Sequence, residues 1–377
     1  MMSAAPTGRI VELLRELVAF PSVSSETNLP LIDRAAGILE AAGFTVTRIA
    51  ASVPGKGGLL AKLGAGDGGV LFSAHTDVVP VAGQSWSADP FTLRPDGTRL
   101  VGRGATDMKG FVACVLAMAE TLADAPPVKP VSIALSWDEE VGCRGIPEMI
   151  DRVIPTLGRP DLCIVGEPTS LRLCLGHKGK ASYRAICRGS AGHSAMAPHF
   201  VNALHGAADL IAVLRAEQDR LMHEGARDDA YDPPCSTVHA GVMRGGVALN
   251  IVPDTGEVLF EIRHLAAETP EAIVSRIRSA LPEGDAPGEI RIAETGSYPG
   301  LATDPSLPAV QALAALLDDP APITVAYGTE AGFFARAGLT TVVCGPGTMK
   351  DGHQPDESIE VSELTACAAL LDRLVHG

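Results

Sequence analysis

Four apolar runs in this chain end in, or shortly precede, side chains of the types that bind divalent metals. They are "GGVLFSAH" at His75, "SIALSWDEE" at Glu139 and Glu140, "DLCIVGE" at Glu167 and "TTVVCGPGTMKDGH" at His353. Asp107 in "GRGATDMKG" stands just ahead of a long apolar stretch, and Asp77 follows His75 by two residues. Taken one at a time, each has an ordinary structural use. Asp107 suits a helix N-cap, Asp77 a turn, Glu167 a strand end, and the two histidines a hydrogen-bonded core or a loop. Gathered in one place, Asp107, Glu139, Glu140 and Glu167 repel one another, and burial raises their pKa values further, so the cluster is unfavourable without cations. Two divalent ions resolve that conflict. Imidazole with carboxylate and no thiolate suits Zn2+, with Co2+ or Mn2+ as substitutes. Two such ions sharing a carboxylate form a hydrolytic pair. The adjacent acids of "WDEE" then have a reason: one glutamate binds metal while another stays free to move a proton. Asp138 is left as a solvated or capping acid without a further role.

These side chains converge only if the runs are strands of one parallel sheet, whose C-terminal ends share the edge where open α/β sheets bind ligands. The patterning agrees. Up to about residue 178, apolar runs alternate with amphipathic stretches. They predict helices over 8–20 and 30–43, strands over 44–50, 58–63 and 69–74, a helix over 107–124, a strand over 131–137, a helix over 145–157 and a strand over 161–166. The same texture resumes near the end with helices over 306–318 and 330–337, a strand over 340–344 and a helix over 362–376. The expected fold is therefore α/β, a mainly parallel sheet with helices on both faces, formed by residues 1–178 and 295–377. Residues 179–294 follow a different order, βαββαβ, and read as an inserted α+β domain.

Other properties narrow the partner. The 377-residue chain has a formal charge of -15, which repels nucleic acid and acidic membranes and favours a small molecule. Its eight cysteines are scattered singly with no C-x-x-C pair, as expected for reduced, packed thiols in a cytosol. The first 20 residues have the spacing of an amphipathic helix and lack the order of a secretory signal, and no run reaches transmembrane length. "GAGDGG" at 64–69 matches a dinucleotide fingerprint, but the next stretch reads as a strand, so a hairpin turn is expected in place of an oxidoreductase site.

Six motifs, "SAHTDVVPV", "GRGATDMKG", "WDEEVG", "VGEPT", "AGHSAMAPH" and "GHQPDESIE", occur in the order and spacing of the M20 metallopeptidase family, which the whole chain resembles. The resemblance implies two Zn2+ per subunit, one held by His75 and Glu167, the other by Glu140 and His353, with Asp107 bridging. It makes Asp77 the residue that orients His75 and Glu139 the general acid and base. It implies a cis peptide after Asp107 and an inserted domain that acts as lid and forms a homodimer. His193 in "AGHSAMAPH" would then reach a neighbouring subunit's site to stabilise the oxyanion, although the residues alone favour a turn histidine flanked by small residues. Asn250 in "LNIVPD" and Arg263 in "FEIRHL" match lid positions that contact substrate in the family.

The activity implied is hydrolysis of an N-acyl amino acid, with N2-acetyl-L-ornithine as the expected substrate. Glu330 in "YGTEAGFF" stands where related desuccinylases carry a serine and aspartate followed by an arginine. An acid there suits the δ-ammonium of ornithine and opposes a succinyl tail; complementing a helix dipole is its other use. Succinyl-diaminopimelate desuccinylation, or another deacylase or dipeptidase activity, is the alternative within the class. A metal-bound binding protein is the alternative outside it, and has no need of Glu139.

Overall fold

A computed structural model describes residues 5–281 and 288–376. The chain divides into two compact units, one made of Met1–Gly176, Ala302–Thr324 and Thr329–Gly377, the other of His177–Leu301 and Val325–Gly328. The second unit is wider than the insertion expected at 179–294 and takes in a short return of the chain.

In the first unit the strands Val131–Ser136, Val70–His75, Leu162–Pro168 and Thr341–Gly345 lie side by side in that order, all parallel. All four are buried throughout, which is why they read as continuous apolar runs rather than as alternating ones. Antiparallel strands Thr45–Ala50 and Gly57–Leu63 extend the sheet beyond Val131–Ser136, and Cys174–His177 pairs antiparallel with Thr341–Gly345, so the sheet is mixed with a parallel centre. The register sets His75 opposite Ser136 and Gly345 opposite Pro168, which brings the four C-terminal ends to one edge.

Two groups of helices cover this sheet. Lys109–Leu122 packs against Thr7–Val18, Leu29–Ala41 and Val361–His376, and Ile146–Leu157 packs against Ala331–Arg336. Lys109–Leu122 is buried along almost its whole length. Its close approach depends on Gly166, where an added Cβ would lie 2.0 Å from the Phe111 ring. Its N-cap is Met108, with no side-chain capping bond, so Asp107 does not serve as a cap. The Asp107–Met108 peptide is cis.

Among the elements with no counterpart in the patterning, such as Cys174–His177, is a three-stranded sheet of Arg94–Asp96, Arg99–Val101 and Ser358–Glu360. Strands of three residues are too short to show a period. This sheet brings Glu357 beside the loop that carries Asp107, where the Glu357 carbonyl accepts the Gly102 N–H at 2.9 Å.

The second unit is a four-stranded antiparallel sheet in the order Thr237–Gly245, Thr255–His264, Gly179–Arg188, Ile290–Tyr298. Alternate residues of Thr255–His264 are buried, as in a sheet with one face covered. The helices Ala203–Glu224 and Pro270–Ser279 supply the cover and are capped by Asn202 and Thr269. Tyr183 stacks on Phe260 in this core, with ring centroids 5.1 Å apart. All eight cysteines are free and buried. Among the described residues, no helix is long and apolar enough to cross a membrane.

Candidate metal centre

His75 closes its strand fully buried, with Nδ1 2.9 Å from the Asp77 carbonyl and Nε2 3.0 Å from Asp107 Oδ1. Glu167 Oε1 lies 3.6 Å from the same Nε2. The other oxygen of Asp107, Oδ2, lies 3.1 Å from His353 Nε2, which is 3.0 Å from Glu140 Oε2. Asp107 therefore faces one histidine with each oxygen. Ligand atoms of His75, Asp107 and Glu140 lie within 4.8 Å of one another, as do those of His75, Glu139 and Glu167. His353 comes in on a loop at φ 60° and is half exposed, whereas Asp107 and Glu167 are buried.

Charge is poorly balanced here. Burial, reinforced by Asp107, pushes Glu140 up to about 7 and Glu167 well above the usual carboxyl range. Burial likewise raises Glu139, with Glu140, Glu330 and Asp107 adding to the effect. Asp107 goes the other way: burial opposes its ionisation, but hydrogen bonds with His353 and His75 hold it far below the usual range. His353, between Asp107 and Glu140, is raised to about 10. His75 is raised against the effect of burial by Asp107 and Asp77. Buried carboxylates that resist ionisation and histidines that resist neutralisation are what divalent cations relieve. The donor set of imidazole and carboxylate fits such ions. Cys143 Sγ donates to Glu139 Oε1 at 3.3 Å, burial pushes its thiol pKa up, and it is in neither group of converging ligand atoms among the described residues.

Glu330 belongs to the same unit and is 2% exposed. Its Oε2 accepts a hydrogen bond from Ser136 Oγ at 2.8 Å, and its Oε1 is buried with no hydrogen-bond partner among the described residues. It precedes the helix Ala331–Arg336 but makes no capping bond. The three remaining expected residues lie in the second unit. His193 pairs with Ile251 across a two-residue ladder, is exposed, and accepts the Ala195 N–H on Nδ1 at 3.1 Å. Asn250, also exposed, accepts the Ser194 N–H on its carbonyl at 3.0 Å. Arg263 is half buried and held by Glu261 at 3.1 Å and the Tyr298 hydroxyl at 2.9 Å.

The model of peptidase family M20/M25/M40 matches residues 71–377. The chain belongs to this family. An acetylornithine deacetylase from Erwinia tasmaniensis is 34% identical over 378 residues, 97% of each chain. Among solved structures, aminopeptidase PepT from Bacillus cereus superposes with a TM-score of 0.77 at 21% identity, over 98% of each chain. A Bacillus subtilis protein described as a dinuclear metal binding peptidase of the M20 family superposes with a TM-score of 0.67 at 16% identity, over 98% of this chain and 97% of that one. These two likenesses show the shared fold.

This M20-family hydrolase also uses residues that the reading of single ligands passes over. Glu357 Oε1 accepts the backbone N–H of Thr106 at 2.9 Å and of Asp107 at 3.0 Å. Asp77 accepts the N–H groups of Glu139 and Glu140 at 3.0 and 3.3 Å, so it holds the two glutamates as well as His75. Glu357 and Arg103 both sit inside the quoted motifs "GHQPDESIE" and "GRGATDMKG". Motif membership was the available signal; their burial was not readable.

Proposed function

We propose that this chain hydrolyses the amide bond of N2-acetyl-L-ornithine, releasing ornithine and acetate, with two divalent cations, Zn2+ or Co2+. His75 and Glu167 would hold one, Glu140 and His353 the other, and Asp107 both. The observation that carries this is Asp107, whose two oxygens lie 3.0 and 3.1 Å from two different histidines. Bound there, the cations supply Lewis acidity toward the scissile carbonyl and acidify a water near neutral pH.

Glu139 takes the water's proton as oxygen attacks carbon and returns it to the leaving nitrogen. A carboxyl whose burial favours the protonated form is suited to holding that proton between the two transfers. Asp77 keeps the Glu139 backbone and the His75 ring in place. His193, supplied by the second unit of a partner chain, donates to the carbonyl oxygen as negative charge develops there. A homodimer through this unit is supported by its exposed apolar side chains near His193, Val247 at 88% and Leu249 at 101%. Asn250 and Arg263 contact substrate from that unit.

Glu330 is assigned the δ-ammonium of ornithine, because Oε1 is a buried acceptor with no partner among the described residues. The choice of acyl amino acid rests on the relative named acetylornithine deacetylase, at 34% identity. Eight buried free thiols suit a reducing cytoplasm. The test is turnover of N-acetyl, N-succinyl and dipeptide substrates after chelation and again with Zn2+ or Co2+ restored. Acetylornithine is expected to turn over fastest, and only with metal. A preference for succinyl-diaminopimelate or a dipeptide would move the activity to that alternative.

A further inference from the structure

Of the three consecutive acids in "WDEE", Asp138 has no part in the chemistry above, yet it alone of the three has a positive φ. It sits at φ 54°, a left-handed conformation uncommon for a residue with a side chain. Its carboxyl is largely enclosed and paired: Lys56 Nζ lies 2.7 Å from Asp138 Oδ1, with the two side chains 7% and 14% exposed. The same ammonium donates to the Ser24 carbonyl at 2.8 Å. Ser24 Oγ donates in turn to Asp77 Oδ2 at 2.6 Å. Asp77 then accepts the N–H groups of Glu139 and Glu140. The contacts form a closed ring, from Lys56 to Asp138, along the chain to Glu139, across to Asp77, on to Ser24 and back to Lys56.

We propose that Lys56 is a positioning residue for Glu139: by pairing with Asp138 and holding Ser24, it locks the Asp138–Glu140 backbone against Asp77 and so aims the Glu139 carboxyl. Desolvation makes a buried ion pair a weak source of stability, so one built at a strained turn beside the proton-transfer group is better explained by the geometry it imposes. Among the described residues the Lys56 ammonium bonds to Ser24 and Asp138, neither of which is assigned to metal. Without it, Asp138 is free to leave the left-handed region and carry Glu139 with it. Misplacement of a reacting group by about 1 Å costs about 100-fold in rate.

This inference rests on Glu139 being the base, and the experiment separates the two. Lys56→Met, Asp138→Asn, the double variant and Glu139→Gln are compared for kcat, KM and bound metal on acetylornithine. Lys56→Met and Asp138→Asn are each expected to lower kcat about 10-fold to 100-fold with KM and metal content nearly unchanged. The double variant should be no worse than the poorer single one, because the pair acts as a unit. If Lys56→Met does not fold, Asp138→Asn and Ser24→Ala carry the test with the same expected loss. The inference is overturned by a folded variant that keeps kcat within about twofold, by additive losses, or by kcat falling in step with lost metal. Full turnover in Glu139→Gln would instead overturn the proposed mechanism itself.

Discussion

Arg103 and Glu357 form an ion pair at 2.6 Å with both side chains enclosed, 0% and 1% exposed. Through its other oxygen, Glu357 holds the Asp107 N–H, so the residue between the two histidines is anchored by a buried charge pair. Removing one partner strands the other charge, at a cost of about 3–5 kcal/mol. Arg103→Met is expected to lose about that much stability in urea unfolding, and Arg103→Met with Glu357→Gln, which removes the stranded charge but keeps an acceptor for the Thr106 and Asp107 N–H groups, to regain part of it. A single variant within about 1 kcal/mol of the unsubstituted chain would show that the pair does not anchor the loop.

Glu139→Gln keeps the size of the side chain and removes its ability to carry the proton. Its expected effect is a fall in kcat of about 100-fold to 10,000-fold with metal content unchanged. Elemental analysis decides the matter. A missing ion would place Glu139 among the ligands, beside His75 and Glu167.

Glu330 gives the fold a pH dependence whose sign follows from its burial. Burial pushes its pKa up to about 7, against the hydrogen bond from Ser136. Because the folded value lies above the ordinary 4.5, its contribution is fully present below about 4.5 and lost as pH rises through about 7. Chelated protein should therefore lose stability across this window, and Glu330→Gln should flatten the loss by on the order of 3 kcal/mol. Identical slopes for the two proteins would refute it.

The same substitution tests the substrate. A charge-assisted hydrogen bond to the δ-ammonium contributes about 1.5–3 kcal/mol, so Glu330→Gln should weaken acetylornithine about 10-fold to 150-fold. N-acetylmethionine, which has no ammonium, should be little affected. Equal effects on both KM values would make Glu330 structural.

For His193, subunit mixing distinguishes action within a chain from action across a dimer. Glu139→Ala and His193→Ala, each nearly inactive, are combined equally and allowed to exchange. Random pairing makes about half of the dimers mixed, and in each mixed dimer one site joins an intact Glu139 to the partner's intact histidine, so roughly a quarter of sites should recover. A mixture no more active than its parents would rule out the shared site.

The residue types at the strand ends were readable from sequence, because apolar runs and the polar residues that stop them are local features with a period. From them came the four parallel strands, the shared edge and the acidic cluster at it. Periodicity carries no information about which distant segments meet. Asp138 looked solvated until the fold set Lys56, 82 positions away, against it. Glu330 looked like a residue at a helix start, and the packing enclosed it against Ser136, 194 positions away. Arg103 and Glu357 were two charged residues in separate motifs, and a three-stranded sheet too short to have a period made them one buried pair. The sequence by itself determined which groups were present at the sheet edge. Their protonation and aim were decided only by the tertiary structure, because both depend on desolvation and on charges brought together across hundreds of residues.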